Sequence, residues 1–332
     1  MAGGQKTATV FGGSGFVGRY ITRRLAKAGW RVRVAVRRPN EALFVRTYGA
    51  VGQVEPVLAN IRDDESTKAA IVGSDVVVNC VGVLHETKRQ SFTAVHADGA
   101  ARIAKYANAC GVGTLVHLSA IGADTASNSA YGRSKAAGEA AVLAAHSNVI
   151  ILRPSVIFGA EDQFFNRFAR LASLSLVVPL VGAESRFQPV FVDDVAKVAA
   201  QAAFGRVTAG TYELGGPTTA SFRDLMIEML RVVRRRRLLA GLPFWMAHAD
   251  AWFLDMGAKL TLGLVTNKIL TRDQVRQLRN DNLVANDAKS FSDLGIIPTP
   301  MELVLESYLY CYRSGGQYAA IKDSAKNLRS QE

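Results

Sequence analysis

The stretch Val10-Phe11-Gly12-Gly13-Ser14-Gly15-Phe16-Val17-Gly18, near the start of the chain, decides the fold. An apolar run leads into it, and the helix-like segment 16–28 begins within it. A strand, a glycine-rich turn and a helix N-terminus in this order form the arrangement that holds the pyrophosphate of a dinucleotide. Gly12 permits the tight turn, Gly15 lets backbone N–H groups approach the phosphates, and Gly18 allows the helix to pack closely on the strand. The candidate cofactor-binding residues in this stretch are Gly12, Gly13, Ser14, Gly15, Phe16, Val17 and Gly18.

Apolar runs of strand length alternate with helix-period segments from residue 6 to about residue 153. The predicted strands are 7–11, 31–36, 54–58, 76–80, 114–118 and 149–152. The predicted helices are 16–28, 41–48, 65–72, 91–109 and 130–145. Alternating elements of these lengths predict an α/β fold with a doubly wound parallel sheet.

Composition limits the class of protein. Of 332 residues, 49% are hydrophobic and 20% are charged, which is typical of a globular protein with a sizeable core. No run of about 18 uncharged apolar residues occurs, so no membrane-spanning helix is expected. The net charge of +12 indicates attraction to an anionic partner, but it does not choose among nucleic acid, anionic lipid, nucleotide phosphates and an acidic protein.

The cysteines and histidines predict no metal site. The three cysteines, Cys80, Cys110 and Cys311, lie far apart, and the five histidines show no paired spacing. Free thiols of this kind favour a reducing compartment. Because the first strand is reached within a few residues and no signal or transit peptide pattern precedes it, we expect a bacterial protein that faces the cytoplasm, unless a presequence has been removed.

The ends of the second, third and fourth strands supply further cofactor candidates. Arg37 and Arg38 follow the second strand, where an acidic residue would bind the ribose hydroxyls of NAD and basic residues accommodate the 2′-phosphate of NADP. Two arginines without a carboxylate favour NADP(H); the alternative is a solvated strand end. After the third strand, Asn60 can hydrogen-bond the adenine edge, with Ile61 beside it. After the fourth strand, Val81 and Gly82 lie where the backbone passes close to the cofactor ribose.

A tyrosine and a lysine four residues apart indicate a candidate proton-transfer pair. Tyr131 and Lys135 lie one helical turn apart on the same face, twelve residues after Ser119 at the end of the fifth strand. A lysine ammonium near a tyrosine lowers the pKa of the phenol, which suits the tyrosine to proton transfer. The same lysine can bind the nicotinamide ribose.

Together these residues resemble the short-chain dehydrogenase/reductase superfamily in its atypical, extended form. The matching segments are 12–18, 60–63, Ser119, Tyr131, Lys135, Arg153-Pro154-Ser155 and 188–196. The resemblance implies a Rossmann-type sheet with a smaller, mainly helical C-terminal lobe. It also implies that Pro154, Ser155 and Val156 lie near the nicotinamide carboxamide.

One departure from this superfamily affects the question of activity. Active extended members place a hydroxyl just after the fifth strand, where it polarises a substrate carbonyl. Here Ser119 ends the strand, and Ala120, Ile121 and Gly122 follow. Either Ser119 supplies this hydroxyl or it only closes the strand, and both alternatives stay open. In an active protein the catalytic residues would be Tyr131, Lys135 and Ser119.

Segments farther along the chain resemble one branch of the superfamily. They are 157–168, 270–275, 291–296 and 299–303. This branch contains the nucleotide-binding accessory subunits of respiratory complex I, known as alpha-subcomplex subunit nine, with their bacterial relatives. The resemblance covers about residues 6 to 312. It implies firm binding of NADPH, a structural role outside the electron path, and other complex I subunits as partners.

A basic and aromatic segment, 231–265, is consistent with a docked location. Arg231 and the run 234–237 precede a helix-period apolar face made by Trp245, Ala249, Trp252, Met256 and Leu260. Arginines beside an aromatic amphipathic helix favour a peripheral position on an anionic membrane surface. The alternative is a helix packed within its own lobe. Nucleic-acid binding is not expected, since no nucleic-acid motif accompanies the charge.

These interpretations divide the chain and leave two functions. We expect a dinucleotide-binding domain over 1–158, rejoined by 188–214, a C-terminal lobe over 159–187 and 215–314, and a mobile tail over 315–332. The first function is a non-catalytic NADP(H)-holding subunit of complex I, at the cytoplasmic face of the bacterial inner membrane or on the matrix side if mitochondrial. The second is an NADPH-dependent reductase or epimerase, with a quinone among the conceivable substrates.

Overall fold

The computed structural model describes residues 5–84, 86–87, 90–243 and 272–316. The aromatic face expected at 245–260 and all but the first two residues of the expected tail lie outside these ranges. Within them, no helix combines the length and apolar character that crossing a membrane requires.

A seven-stranded parallel sheet forms the centre of the fold, as the alternating sequence pattern predicts. Its strands are β1 (Thr7–Phe11), β2 (Arg31–Val36), β3 (Val54–Leu58), β4 (Val76–Asn79), β5 (Thr114–Leu118), β6 (Val149–Pro154) and β11 (Gly210–Leu214). Their order across the sheet is β11-β6-β5-β4-β1-β2-β3. The chain winds from β1 to β3 on one side and returns to build the other side from β4. The strand order therefore reverses between β1 and β4, where doubly wound sheets bind their ligands.

Helices cover both faces of this sheet because its strands are apolar on both sides. The helices are α1 (Phe16–Lys27), α2 (Asp64–Ile71), α3 (Asp98–Ala109), α4 (Ala130–Ala145) and α6 (Val192–Ala203). Helices α1 and α6 bury Ile21, Leu25 and Val198 against one face of the sheet. The other face packs against Ile71, Ile103 and Val142 of α2, α3 and α4.

Two predicted helices differ from the observed ones. The segment predicted as a helix at 41–48 is a 3-10 helix, Pro39–Tyr48, which begins at a proline. The helix predicted at 91–109 begins with a π-helical turn, Thr93–Ala97, before α3.

Strand β4 ends at Asn79, whose side-chain oxygen accepts the N–H of Val81 at 3.1 Å as the chain turns away.

The C-terminal lobe has its own apolar core. Its elements are α5 (Phe165–Leu174), β8 (Val177–Val181), β9 (Arg186–Phe187), β12 (Ala220–Ser221), α7 (Phe222–Val232), β13 (Leu238–Leu242), α8 (Arg272–Gln277) and α9 (Glu302–Leu309). The paired strands β7 (Ile157–Phe158) and β10 (Val190–Phe191) lie at its boundary with the sheet domain. Phe165, Leu180, Phe222, Met226 and Leu305 pack together within it. Among the described residues, the short strands form three two-stranded sheets, one of which is the parallel pair β8 and β13.

Candidate cofactor-binding site

The glycine turn joins β1 to α1 at the point where the strand order reverses. Gly12 has a positive φ of 72°, and its N–H donates to the carbonyl oxygen of Ala35 at 3.0 Å. A Cβ at Gly18 would overlap the carbonyl oxygen of Gly12, so only glycine lets α1 pack this closely. Helix α1 begins after Gly15 without a side-chain cap or a first-turn carboxylate, so its N-terminal N–H groups suit an anionic phosphate.

Arg19, which the sequence did not single out, holds this turn in place. Its guanidinium donates to the carbonyl oxygen of Ser14 at 3.2 Å and to the Glu161 carboxylate at 3.2 Å. The hydroxyl of Tyr20 donates to the other carboxylate oxygen of Glu161 at 3.0 Å. These bonds fasten the loop after β7 to the phosphate end of the site. In the sequence, the only indication of this role is that Arg19 directly follows Gly18, because its partner Glu161 lies 142 residues farther along the chain.

The residues predicted for the adenosine end of the site follow β2 and β3. Arg37 is exposed just after β2, while Arg38 pairs with Glu41 at 3.0 Å on the surface. The amide oxygen of Asn60 accepts the N–H of Arg62 at 3.2 Å, which leaves the donor side of this amide for an adenine edge. Ile61 is buried next to it.

The Tyr131–Lys135 pair lies at the carboxyl end of β5. The Lys135 ammonium donates to the carbonyl oxygen of Leu118 at 3.1 Å and lies 5.9 Å from the centre of the Tyr131 ring. Gly82 brings the loop after β4, with Val81, against the same ammonium, because a Cβ there would lie 3.4 Å from Nζ. The structure thus gathers Val81, Gly82, Tyr131 and Lys135 at one edge of the sheet.

The expected lowering of the Tyr131 pKa is wrong. Burial raises the pKa of Tyr131 to about 12. Burial also lowers the pKa of Lys135 to about 8, although Glu139 and Cys80 act in the opposite direction. Desolvation of the phenol causes the rise for Tyr131, while the lysine is bonded to a backbone carbonyl and lies over the ring.

Ser119 carries an unsatisfied hydroxyl. It is 4% exposed, and its Oγ has no hydrogen-bond partner among the described residues. Its N–H donates to the carbonyl oxygen of Leu152 at 2.7 Å, so the backbone alone closes the strand. Buried polar groups are almost always bonded, and an orphan hydroxyl at the carboxyl edge of the sheet suits a bound ligand. The residues at this edge therefore fit a dinucleotide.

Pro154 and Ser155 end β6 on the same edge. The carbonyl oxygen of Pro154 accepts the N–H of Ile121 at 3.1 Å. The Ser155 hydroxyl donates to the side-chain oxygen of Asn282 at 2.7 Å. The hydroxyl is thus committed to the C-terminal lobe, and the Ser155 N–H donates to the carbonyl oxygen of Leu214 at 2.9 Å.

His96 is a second residue that the sequence did not reveal. The Ser134 hydroxyl donates to the carbonyl oxygen of Tyr131 at 2.7 Å, so Nδ1 of His96 must donate to Ser134 Oγ, 2.9 Å away. Its Nε2 accepts the N–H of Val83 at 3.0 Å, which makes the ring neutral. Burial and the charge of Lys135 lower the pKa of His96 to about 3. The ring packs against that of Tyr131 and links the loop after β4 to α4.

Asp273 fastens the C-terminal lobe to the helix that carries Tyr131. Its carboxylate accepts the Ser129 hydroxyl at 2.7 Å and the N–H groups of Ala130 and Tyr131 at 2.7 and 3.1 Å. A carboxylate at a helix N-terminus satisfies otherwise unpaired N–H groups and interacts favourably with the helix dipole. Asp273 belongs to the segment 270–275, whose sequence gave no indication of this contact.

Comparison with known proteins places the chain in a family. Residues 8–215 match the NAD dependent epimerase/dehydratase family. The chain is 36% identical to the mitochondrial NADH dehydrogenase [ubiquinone] 1 alpha subcomplex subunit 9 of Arabidopsis thaliana, over 93% of this chain and 78% of the relative. It is 31% identical to the mitochondrial NADH-ubiquinone oxidoreductase 40 kDa subunit of Neurospora crassa, over 95% of this chain and 82% of the relative.

The fold is also shared with solved structures. The crystal structure of gox2253 superposes with a TM-score of 0.72, covering 94% of this chain and 99% of that one at 20% identity, which shows a common fold. From the sheet, the glycine turn and these relatives together, the chain belongs to the NAD dependent epimerase/dehydratase family and, within it, to the proteins related to alpha subcomplex subunit 9 of NADH dehydrogenase.

Proposed function

We propose that this protein is an NADP(H)-holding accessory subunit of respiratory complex I, in which the cofactor stabilises the subunit and stays outside the electron path. The observation that carries the proposal is the likeness to the subunit 9 proteins. It extends over 93% of the chain in the Arabidopsis thaliana relative and so includes the C-terminal lobe as well as the sheet.

The state of the candidate catalytic pair supports a holding role. An effective proton donor or acceptor has a pKa near the working pH, whereas the pKa of Tyr131 is raised to about 12. Lys135 is bonded to the Leu118 carbonyl, and Asp273 ties the N-terminus of α4 to the C-terminal lobe. These contacts suit a rigid cofactor cradle.

The preferred cofactor is NADP(H) because Arg37 and Arg38 follow β2. Arg37 is exposed and has no ion pair within the described residues, so its guanidinium can bind a 2′-phosphate. Arg37→Ser is expected to weaken NADPH binding about 10- to 100-fold and to leave NADH binding unchanged, measured by fluorescence titration. The matched control is Arg46→Ser, an exposed arginine in the next 3-10 helix. Equal losses for both cofactors would contradict the preference.

The proposed location is the surface of the membrane that holds the complex. The net charge of +12 and the basic residues of 231–243 support a peripheral position on anionic lipid. In a bacterium this is the cytoplasmic face of the inner membrane, and in a mitochondrion it is the matrix side. The proposed partners are the neighbouring complex I subunits.

Co-purification tests this function. The tagged full-length chain, isolated from membranes of its own organism with mild detergent, is expected to bring down complex I subunits and to carry about one NADPH per chain. Mass spectrometry identifies the partners, and absorbance after acid release identifies the nucleotide. A chain that never travels with complex I would refute the proposal.

A second candidate function is an NADPH-dependent reductase or epimerase. The observation that favours it is the unsatisfied hydroxyl of Ser119, which lies at the same sheet edge as Tyr131 and Lys135. Purified protein would then consume NADPH with a ketone, a quinone or a nucleotide sugar. Tyr131→Phe should abolish this turnover and leave NADPH binding intact. Absence of turnover with all three classes counts against catalysis.

A further inference from the structure

One end of the C-terminal lobe carries a strong positive charge. Arg234, Arg235, Arg236 and Arg237 follow α7 directly, and together with Arg231 they line an open depression of about 550 Å³. Ile227, Leu230 and Leu239 form its apolar floor. A groove with an apolar floor and guanidinium walls suits a ligand that has a negative head and an aliphatic body.

The carboxylates near this groove do not neutralise it. Glu228 pairs with Arg231 at 2.6 Å, and Glu306 pairs with Arg313 at 2.6 Å. The pKa of Glu306 is lowered first by Arg313 and further by Arg234 and Arg231, which indicates a positive local field. Among the described residues, no carboxylate forms an ion pair with the arginines at 235–237.

Exposed leucines lie next to these arginines. Leu238 follows Arg237 and is 66% exposed, while Leu174 and Leu176 are 80% and 75% exposed. Two hydrogen bonds bring the backbone at the start of β13 close to the end of α5. The N–H of Leu238 donates to the carbonyl oxygen of Leu176 at 3.0 Å. The Arg237 guanidinium donates to the carbonyl oxygen of Ala172, near the end of α5, at 2.7 Å.

This combination favours a lipid surface over a protein partner. Aliphatic side chains flanked by arginines insert at the boundary between lipid headgroups and acyl chains. Protein interfaces instead concentrate their binding energy in Trp, Tyr and Arg, with leucine under-represented. Leu238 is the first residue of β13, and the described range ends at Pro243, just after this strand. At about 3.3 Å per residue, Leu238 and Pro243 lie roughly 16 Å apart along the strand. The leucines therefore lie at the opposite end of β13 from Pro243.

We propose that this face, made of Leu174, Leu176, Leu238 and the arginines of 234–237, docks on an anionic lipid bilayer. The arginines bind headgroup phosphates, and the three leucines enter the outermost acyl region. The inference rests on the proposed peripheral location and adds the residues that make the contact. It assigns the contact to residues that precede Pro243, separate from the aromatic face expected at 245–260.

Vesicle flotation of the full-length protein tests this face. The protein is mixed with vesicles of phosphatidylcholine alone or with phosphatidylglycerol added as the anionic lipid. Binding is expected only with the anionic lipid and should weaken as salt is raised. Arg236→Glu should lower the partition coefficient about tenfold or more, because each basic side chain near an anionic surface contributes on the order of five-fold and reversal adds repulsion. The paired change Leu176→Ser and Leu238→Ser should lower it similarly.

Matched controls separate this face from general charge and hydrophobicity. Arg46→Glu makes the same charge change elsewhere, and Ile297→Ser removes an equally exposed aliphatic side chain. Both should bind vesicles like the unmodified protein. Retained NADPH in every variant reports correct folding.

Two results would overturn the proposal. One is unchanged vesicle binding in the Arg236 and leucine variants. The other is vesicle binding that survives while assembly with complex I subunits is lost, which would assign the face to a protein. Failure on vesicles by a chain that still co-purifies with complex I and NADPH refutes the lipid contact alone and leaves the proposed function standing.

Discussion

At the scale of single residues, burial and the charge of Lys135 set the electrostatics of the site. Burial lowers the pKa of His96 and of His117 to about 3, and the Lys135 ammonium acts in the same direction. The same charge opposes the burial that raises the pKa of Cys80 to about 12. His96, His117 and Cys80 are therefore held neutral beside the positive charge of Lys135.

The two neutral histidines predict acid sensitivity. In the unfolded chain a histidine has a pKa near 6.5, whereas His96 and His117 have pKa values of about 3 in the fold. Below pH 6.5 the unfolded chain binds more protons than the folded chain. The free energy of unfolding should therefore fall as pH is lowered, by up to about 1.4 kcal/mol per pH unit for each histidine.

Urea unfolding at pH 7, 6.5, 6 and 5.5 measures this slope above the range where most carboxylates titrate. His117→Asn should reduce the slope by about half, whatever it does to stability at pH 7. A free energy of unfolding that is constant across this range would show that the histidines are protonated within the fold.

Gly18 predicts a steric limit at the cofactor turn. Gly18→Ala places a methyl group against the Gly12 carbonyl, so the turn must shift and NADPH binding should fall at least 100-fold in a fluorescence titration. Gly113→Ala is the matched control, since its methyl group would lie an ordinary 3.5 Å from the Asp75 carbonyl oxygen. Equal affinity in both variants would show that the turn tolerates the displacement.

At the scale of elements, α4 is held from both sides. On the sheet side, Arg153 of β6 binds the Glu139 carboxylate through two hydrogen bonds of 2.9 and 2.6 Å and also pairs with Glu213 of β11 at 3.3 Å. On the other side, Asp273 of α8 accepts hydrogen bonds from N–H groups in the first turn of α4. The position of Tyr131 therefore depends on the sheet and on the C-terminal lobe together.

Asp273→Asn should loosen this attachment. The amide has one acceptor oxygen in place of two and carries no charge for the helix N-terminus, so the free energy of unfolding should fall by about 1 to 2 kcal/mol. Bound NADPH should dissociate faster, measured by displacement in stopped flow. Asp287→Asn, at an exposed position in the same lobe, serves as the control. If the two variants release NADPH at the same rate, α8 does not help to hold the cofactor.

At the scale of the whole molecule, a tightly held cofactor links binding to stability. Because only the folded chain binds NADPH, a 100-fold excess over the dissociation constant should add about 2.7 kcal/mol to the free energy of unfolding. Protein stripped of nucleotide should therefore melt several degrees higher when NADPH is restored, followed by differential scanning fluorimetry. NADH at the same concentration should give a smaller rise, and an equal rise would argue against the 2′-phosphate site.

Most of the sheet was predictable because its signals are local. The spacing of Gly12, Gly15 and Gly18, and the apolar runs on either side, indicate strand, turn and helix without any knowledge of distant residues. The element ends were less predictable, since Asn79 ends β4 through its own side chain and β6 extends to Pro154 by pairing with Leu214.

The sequence by itself determined the doubly wound sheet, the glycine turn and the placement of Tyr131 and Lys135 on one helical face, since each follows from residues a few positions apart. Only the tertiary structure decided the pKa values of Tyr131 and Lys135, because desolvation of these groups depends on every element packed around them. It also decided the contacts of Arg19 with Glu161 and of Asp273 with α4, which join residues more than 140 positions apart. Such pairs leave no periodic pattern, because the chain between them is constrained only by the completed fold.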